Sequence, residues 1–143
     1  MPGTRSQGEE ELIAFVRSGY ALWNSGDLEQ VASMWSEDVE WHNAPEWPGQ
    51  RVYRGRAEVI AFLRSEVAEV IELGDIDVTG VDVHGDELLI RLAARTRGHD
   101  SRVDIGKIPI FHVARVENGQ VVRVRAFLNE RQALEAALGA ASG

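Results

Sequence analysis

The sequence predicts an α+β fold in which a curved, mainly antiparallel sheet wraps around N-terminal helices to form a cone-shaped barrel. Helical spacing of apolar residues dominates the first half of the chain, whereas strand-like alternation begins at Ile76. Asn118-Gly119 separates two runs rich in β-branched residues, and this dipeptide favours a hairpin because both residues tolerate positive φ. Helices followed by strands are typical of α+β proteins. We expect one domain over residues 1–143, with an ordered core at about 7–138.

The first predicted helix carries one apolar stripe along its length. It begins near Gln7, because Ser6 and Glu9 have the spacing of a capping box, and it ends before Gly26. Its apolar residues recur about every 3.6 positions, which predicts that one side of the helix is buried. The stripe consists of Leu12, Phe15, Val16, Gly19, Leu22 and Trp23.

Two further helices are expected before the main strands begin. Asp27 lies three residues before Gln30, which is the spacing of an N-cap side chain and the backbone N–H that it accepts from. The third helix starts at Gly55, and Gly74 is its expected C-cap because glycine tolerates the left-handed conformation there. Both helices carry an apolar stripe and must pack against the sheet.

An early strand is expected over residues 39–43, at the edge of a four-stranded meander formed by the later strands. Side chains alternate between the two faces of a strand, so Trp41 and Asn43 share one face and Glu40 and His42 share the other. The first pair is expected to face the interior, which brings a polar amide to the mouth of an apolar pocket.

The stretch 44–54 is predicted to be a loop, because it contains two prolines and a glycine. It also carries two large aromatic residues, Trp47 and Tyr53. A loop with such residues is expected to fold back over an apolar surface, as lid segments do.

The second half of the chain predicts a meander of four antiparallel strands and a closing helix. The first strand spans Ile76–Val83, with a bulge at Gly80 where the alternation slips. The second spans Leu88–Arg97, and the last two flank the Asn118-Gly119 turn. A short helix, Glu130–Leu138, completes the fold.

The strand alternation and the helical stripes together predict one apolar cavity inside the sheet. In the long strand before Asn118, Phe111 and Val113 are expected to face the cavity, while His112 points away. The expected lining consists of Trp41, Asn43, Trp47, Tyr53, Phe62, Leu92, Thr96, Phe111, Val113, Val124, Ala126 and Leu128.

Asn43 is the best candidate for a polar group that contacts a ligand. Its amide can donate and accept hydrogen bonds, so it could hold a ligand carbonyl or hydroxyl. The alternative is structural, because Asn43 directly precedes the 44–54 loop and its side chain could tie that loop down. The catalytic residue is unknown, and Asn43 is the best candidate for it. An amide cannot act as a general base near pH 7, so any proton transfer would need another group.

The other face of the sheet is expected to form a homodimer interface. Ile108, Ile110, Ala114 and Phe127 alternate away from the predicted cavity, and an exposed apolar patch of this kind usually marks an interface. Four arginines would surround this patch, namely Arg95, Arg115, Arg123 and Arg125.

Composition narrows the range of partners. The chain has 23 acidic and 15 basic side chains, a net charge of −8, which disfavours nucleic acid as a partner. It has no cysteine, no long apolar run and no apolar signal-peptide core, so we expect a cytoplasmic protein without membrane contact. The four histidines lack metal-ligand spacing and no phosphate-binding or nucleotide motif occurs. We expect no metal and no cofactor.

Several motifs in this order resemble the nuclear transport factor 2-like superfamily, within it the SnoaL-like and ketosteroid-isomerase-like branch. They are Trp-Asn-Ser-Gly-Asp-Leu at 23–28, Met-Trp-Ser-Glu-Asp-Val-Glu-Trp at 34–41, and Tyr-Arg-Gly-Arg-Ala-Glu-Val-Ile-Ala-Phe-Leu at 53–63. The closing Glu-Asn-Gly-Gln-Val-Val-Arg-Val-Arg-Ala-Phe-Leu, at 117–128, completes the set. The resemblance covers about 12–138 and implies the fold stated above, but this scaffold hosts many functions.

The resemblance also implies where catalytic residues would lie. Steroid isomerases of this branch place an aspartate base where this chain has Asn43, a tyrosine where it has Gly19, next to Tyr20, and a second acid where it has Phe111. Limonene-type epoxide hydrolases keep the asparagine, but have a tyrosine at the position of Trp41 and an aspartate at that of Ala126. Neither set is present here.

Two functions therefore remain open from the sequence. One is a SnoaL-like protein whose pocket holds a small polycyclic, terpenoid or polyketide-like molecule, with isomerase, cyclase or hydrolase chemistry. The other is a non-catalytic small-molecule-binding or dimerisation module on the same fold. The absent acids favour the second interpretation, whereas Asn43 and the aromatic loop indicate that a ligand is still bound.

Overall fold

The computed structural model describes residues 7–47, 49–96 and 107–142. A π-helical segment, Leu63–Val67, joins the third and fourth helices. In chain order the elements are α1 (Gln7–Asn24), α2 (Leu28–Ala32), β1 (Trp35–His42), β2 (Val52–Arg54), α3 (Arg56–Phe62), α4 (Ala68–Val70), β3 (Ile71–His84), β4 (Glu87–Thr96), β5 (Lys107–Glu117), β6 (Gln120–Phe127) and α5 (Glu130–Ser142).

The first two helices begin where the sequence predicts them. The helix α1 begins at Gln7, and its expected cap, Ser6, lies outside the described residues. The Asp27 side chain accepts a hydrogen bond from the Gln30 backbone N–H at 3.1 Å, which confirms the expected N-cap of α2. Across the described part of the chain, no helix has the length and apolar character needed to cross a membrane.

The six strands form one curved, open sheet in the order β2-β1-β6-β5-β4-β3. The expected meander over β3–β6 is confirmed, and so is the irregularity between Val78 and Gly80. Asn118 and Gly119 have φ values of 52° and 75°, as the predicted hairpin turn requires. The α+β class is confirmed.

The early strand lies at the edge of the β3–β6 meander, as expected, but it is not the last strand of the sheet. One side of β1 pairs in parallel with β6, and the other side pairs with β2. The prediction that 44–54 is entirely a loop is therefore wrong at its end. Val52–Arg54 can extend and pair with Glu40–His42 because the prolines and glycine of the loop all precede it.

Gly74 is not a helix C-cap. Helical structure stops at Val70 and β3 starts at Ile71, so Gly74 lies within a strand. A Cβ atom at Gly74 would lie 3.4 Å from the Asn24 carbonyl oxygen. The Asn24 side chain is fixed nearby through two hydrogen bonds with the Ile76 backbone, at 2.7 and 2.9 Å. Glycine allows the strand to pass this closely across the end of α1.

Two hydrophobic layers lie on opposite faces of the sheet. The larger layer fills the space between the inner face and the helices α1–α3, and it includes Trp23, Trp41 and Leu63. The smaller layer lies between the outer face and α5, where Phe111 and Val113 pack with Ala133 and Ala137.

The expected orientation of β5 is therefore wrong. A two-residue hairpin at Asn118-Gly119 without a bulge would pair Val113 with Val124. Instead Val116 pairs with Val121 and Arg115 with Arg123, so that Val122 is an extra residue on β6. A shift of one residue moves every side chain of a strand to the other face.

This shift also overturns the predicted outer apolar patch. Ile108, Ile110 and Ala114 belong to the inner layer, and Phe127 packs in the layer beneath α5. Arg115, Arg123 and Arg125 instead surround the buried Glu87, whose Oε1 lies 2.5 Å from Arg123 Nη2. The homodimer stays a prediction, without this patch as support.

Candidate functional site

An apolar cavity lies between the inner face of the sheet and the helices. Its volume is about 60 Å³, on a measure by which one water molecule needs about 10–15 Å³. Leu128 is 41% exposed, so it lies at the rim. The lining consists of Trp23, Trp41, Asn43, Ala44, Trp47, Phe62, Leu63, Val67, Ile76, Leu92, Ala94, Ile110, His112, Ala126 and Leu128.

The structure brings together seven of the twelve residues that the sequence assigned to the cavity. Val124 lines a neighbouring cavity instead, and Tyr53 lies behind Phe62. Phe111 and Val113 face α5, for the reason given above, and the side chain of Thr96 lies outside the described part of the structure. The seven are Trp41, Asn43, Trp47, Phe62, Leu92, Ala126 and Leu128.

His112 is one of the lining residues that the sequence did not predict, and its ring is tied to the first helix. The register shift turns His112 inward, opposite Ala126 on β6. Its Nδ1 lies 2.6 Å from the Tyr20 hydroxyl. Burial lowers the pKa of His112 to about 4 and raises the pKa of the Tyr20 hydroxyl above its usual value. Both groups are therefore neutral at pH 7.

The proton on this imidazole can be assigned from its partner. The neutral Tyr20 hydroxyl always has a proton to donate, and within the described residues Nδ1 of His112 is its hydrogen-bond partner. Donation to Nδ1 leaves the ring proton on Nε2. This Nε2–H has no hydrogen-bond acceptor in the described part of the chain, so His112 presents a free donor.

Trp23 supplies a second free donor. Its side chain is 4% exposed, and its indole Nε1–H is buried without a hydrogen-bond partner among the described residues. A buried N–H without a partner costs about 1–3 kcal/mol, so a native protein that keeps one invites a functional explanation. Trp23 lines the same cavity as His112.

Asn43 has a structural role in this geometry. Its Oδ1 accepts a hydrogen bond from Trp41 Nε1 at 3.1 Å, and its Nδ2 donates to the Gln50 carbonyl at 2.8 Å. The backbone N–H of Asn43 also donates to the Arg51 carbonyl at 2.8 Å. The amide thus orients the Trp41 ring and ties down the 44–54 loop, which favours a structural role for Asn43 over contact with a ligand.

Two aromatic residues of the 44–54 stretch, Trp47 and Tyr53, pack against Phe62, which lines the cavity from α3. The rings of Trp47 and Phe62 meet edge to face, with centroids 6.4 Å apart, and Tyr53 stacks on Phe62 at 4.3 Å. The Tyr53 hydroxyl donates to Glu66 Oε2 at 2.9 Å, outside the cavity. The loop therefore packs over apolar residues, as its aromatic content predicts.

The described lining contains no carboxylate and no lysine. Within the part of the chain that the structure describes, no group of three or more His, Cys, Asp or Glu side chains is placed to hold a metal ion. The cavity thus offers donors and apolar surface, with neutral His112 as its titratable group among the described residues.

A family model described as "SnoaL-like domain" matches residues 16–124, more than half of the chain. The protein belongs to the SnoaL-like family. None of the curated proteins compared with this SnoaL-like protein matches it. The family match confirms the resemblance drawn from the sequence motifs.

Solved structures show the same fold at low sequence identity. An NTF2-like protein of unknown function from Burkholderia pseudomallei is 21% identical, with a TM-score of 0.66 over 88% of this chain and 95% of its own. A protein with a ketosteroid isomerase-like fold from Catenulispora acidiphila, in complex with trimethylamine, is 13% identical, with a TM-score of 0.64 and coverages of 78% and 82%. TerC, co-crystallized with polyporic acid, is 17% identical, with a TM-score of 0.65 and coverages of 87% and 96%.

Proposed function

We propose that this SnoaL-like protein binds a small, largely apolar molecule that carries a hydrogen-bond acceptor. The observation that carries the proposal is His112 Nε2–H, a donor without a hydrogen-bond partner among the described residues, in a cavity whose other lining is almost wholly apolar. Trp23, whose buried indole N–H also lacks a partner there, belongs to the same lining. A carbonyl or ether oxygen would satisfy one or both of these N–H groups, and the surrounding rings would cover the rest of the ligand.

The ligand class follows from the shape and chemistry of the lining. A terpenoid, polyketide-like or other polycyclic molecule with an oxygen on one ring would suit it, and the present cavity accommodates about one such ring. The co-crystallization of TerC with polyporic acid supports a ligand of this general kind on the same fold. A charged ligand is disfavoured, because no described side chain in the lining carries a charge to pair with it.

The pKa of His112 supports a protein that binds its ligand without catalysing a reaction. A general base works best when its pKa is near the operating pH, whereas the pKa of His112 is about 4. The second candidate is proton-transfer chemistry of the isomerase, cyclase or hydrolase type. The Tyr20–His112 hydrogen bond favours it, because such a pair can relay a proton to a bound carbonyl.

A matched pair of probes tests the binding proposal. Acetophenone and α-methylstyrene have nearly the same shape, but only acetophenone has an oxygen acceptor. We expect acetophenone to bind about fivefold more tightly, since one hydrogen bond contributes about 1 kcal/mol, and to shift the Trp23 indole N–H signal in NMR spectra. Equal affinity of the two probes would contradict the role of the donors.

Variants separate the cavity from general stability. Ala126→Leu should abolish binding of both probes, because Ala126 lines the cavity beside His112. Ala57→Leu, at an exposed position of α3, is the matched control and should leave both affinities unchanged.

Catalysis is tested by exchange of the acetophenone methyl protons in D₂O, which we expect to proceed at the buffer rate. Exchange that the protein accelerates, and that His112→Asn abolishes, would establish the second candidate instead.

A further inference from the structure

We infer that the ligand site has a second compartment, and that the two compartments together take one elongated, rigid ligand of two linked or fused rings. This inference rests on the proposed binding function and adds the length of the ligand. It follows from a second cavity of about 50 Å³ that lies next to the first. Trp23 and Trp41 line both cavities.

The second compartment is as apolar as the first. It lies between α1 and the sheet, and its described lining carries no charged side chain. Phe15 and Gly19 border it from α1, and Ala114 and Val124 border it from the sheet. Gly19 faces Met34, whose sulfur would lie 3.4 Å from a Cβ atom at this position, so a larger side chain here would compete with Met34 for the space.

Four aromatic rings form the partition between the compartments. They contact one another in a closed cycle of Tyr20, Trp23, Trp41 and His112, with ring centroids 5.1–6.3 Å apart. Tyr20 lines the second compartment, and His112 lines the first. The hydrogen bond between Tyr20 and His112 therefore links the lining of one compartment to the lining of the other.

Three of the four rings are anchored by hydrogen bonds, and Trp23 is not. Tyr20 and His112 hold each other at 2.6 Å, and Asn43 holds Trp41 at 3.1 Å. The Trp23 indole N–H has no partner within the described residues. In the described part of the chain, Trp23 is thus the one ring of the four that no hydrogen bond holds, and a rotation of its side chain would join the two compartments.

Two probes that differ in length test the inference on the whole protein. Acetophenone needs the first compartment alone, whereas 4-acetylbiphenyl adds a second ring on the axis of the first. We expect the wild-type protein to bind both. Ala114→Leu fills the second compartment from the sheet, and we expect it to weaken 4-acetylbiphenyl at least tenfold while acetophenone changes less than twofold. Gly19→Leu enters the second compartment from α1, and we expect the same selective weakening of 4-acetylbiphenyl.

A second readout needs no variant. The chain has two methionines, Met1 and Met34, so a methyl-labelled sample gives a signal that is readily assigned to Met34. We expect nuclear Overhauser contacts between this methyl group and the distal ring of bound 4-acetylbiphenyl. This measurement decides the question even where the filling variants do not fold.

The outcomes distinguish the inference from the proposed function. Binding of acetophenone with no binding of 4-acetylbiphenyl, or 4-acetylbiphenyl bound without contact to Met34, would overturn the second compartment and leave the binding function intact. If Ala114→Leu and Gly19→Leu lower the affinity for both probes equally, the second compartment is likewise overturned and the binding function stands. If neither probe binds the wild-type protein, the proposed function fails, and the inference fails with it.

Discussion

The Tyr20 hydroxyl lies 2.6 Å from Nδ1 of His112, although the two residues are 92 positions apart in the sequence. The contact joins the middle of α1 to the inner face of β5, so it fixes the first helix against the sheet. It also sets the chemistry of the cavity. A buried neutral histidine that accepts from a tyrosine presents its other nitrogen as a donor.

The buried histidine predicts that stability depends on pH in a defined window. The pKa of His112 is about 4 in the folded protein and about 6.5 in the unfolded chain. Between these values the unfolded chain binds a proton that the folded protein does not, so stability rises with pH. We expect a contribution of about 3 kcal/mol that is fully present above pH 6.5 and is lost as the pH falls towards 4.

Urea unfolding from pH 4 to 7, with His112→Phe as the reference, isolates this contribution, because the two proteins share their other titrating groups. The difference in unfolding free energy between wild type and His112→Phe should increase with pH up to about 6.5 and then stay constant. A difference that is constant over the whole range would show that His112 titrates normally and is open to water.

Asn43→Ala is expected to damage the fold rather than the ligand contact. The substitution leaves Trp41 Nε1 and the Gln50 carbonyl without their partners, so we expect a loss of about 2 kcal/mol and a melting temperature lowered by several degrees. The affinity for acetophenone should change less than twofold. Thermal unfolding and a binding isotherm on the same variant measure both.

Asn43→Asp is the companion variant, because it retains an oxygen that accepts from Trp41 Nε1 but places a second carboxylate oxygen against the Gln50 carbonyl in a buried site. It should be at least as destabilised as Asn43→Ala. The opposite pattern, an unchanged melting temperature with a tenfold loss of affinity in Asn43→Ala, would make Asn43 the ligand anchor that the sequence first indicated.

The fold class could be predicted from the sequence because its signals are local. The Asp27 cap, the Asn118-Gly119 turn and the alternation in β4 each depend on a few neighbouring residues, and all three appear in the structure. The bounds predicted for the early strand and the third helix are wrong, since pairing with β2 and the approach of Gly74 to Asn24 are long-range contacts.

The site was harder to predict, because both faces of β5 are apolar. Ile110 and Ala114 suit a buried inner face, and Phe111 and Val113 suit a buried outer face equally well. The choice depends on one extra residue, Val122, whose bulge leaves no clear mark in the sequence. The helix α5 was the available clue, since a closing helix needs an apolar surface to cover.

The docking of α5 on the outer face gives the last prediction. Ala137 is fully buried between α5 and the sheet, where it packs in one layer with Phe111 and Val113, whereas the next residue, Leu138, is 51% exposed. Ala137→Asp would place a carboxylate in this apolar layer, so we expect a loss of about 3 kcal/mol or more. Leu138→Asp introduces the same charge one position away and should change stability by less than about 0.5 kcal/mol. Urea unfolding of the two variants makes the comparison. If Ala137→Asp is as mild as Leu138→Asp, α5 is not docked in solution, and Phe111 and Val113 are free to form the dimer interface that the outer face was first expected to provide.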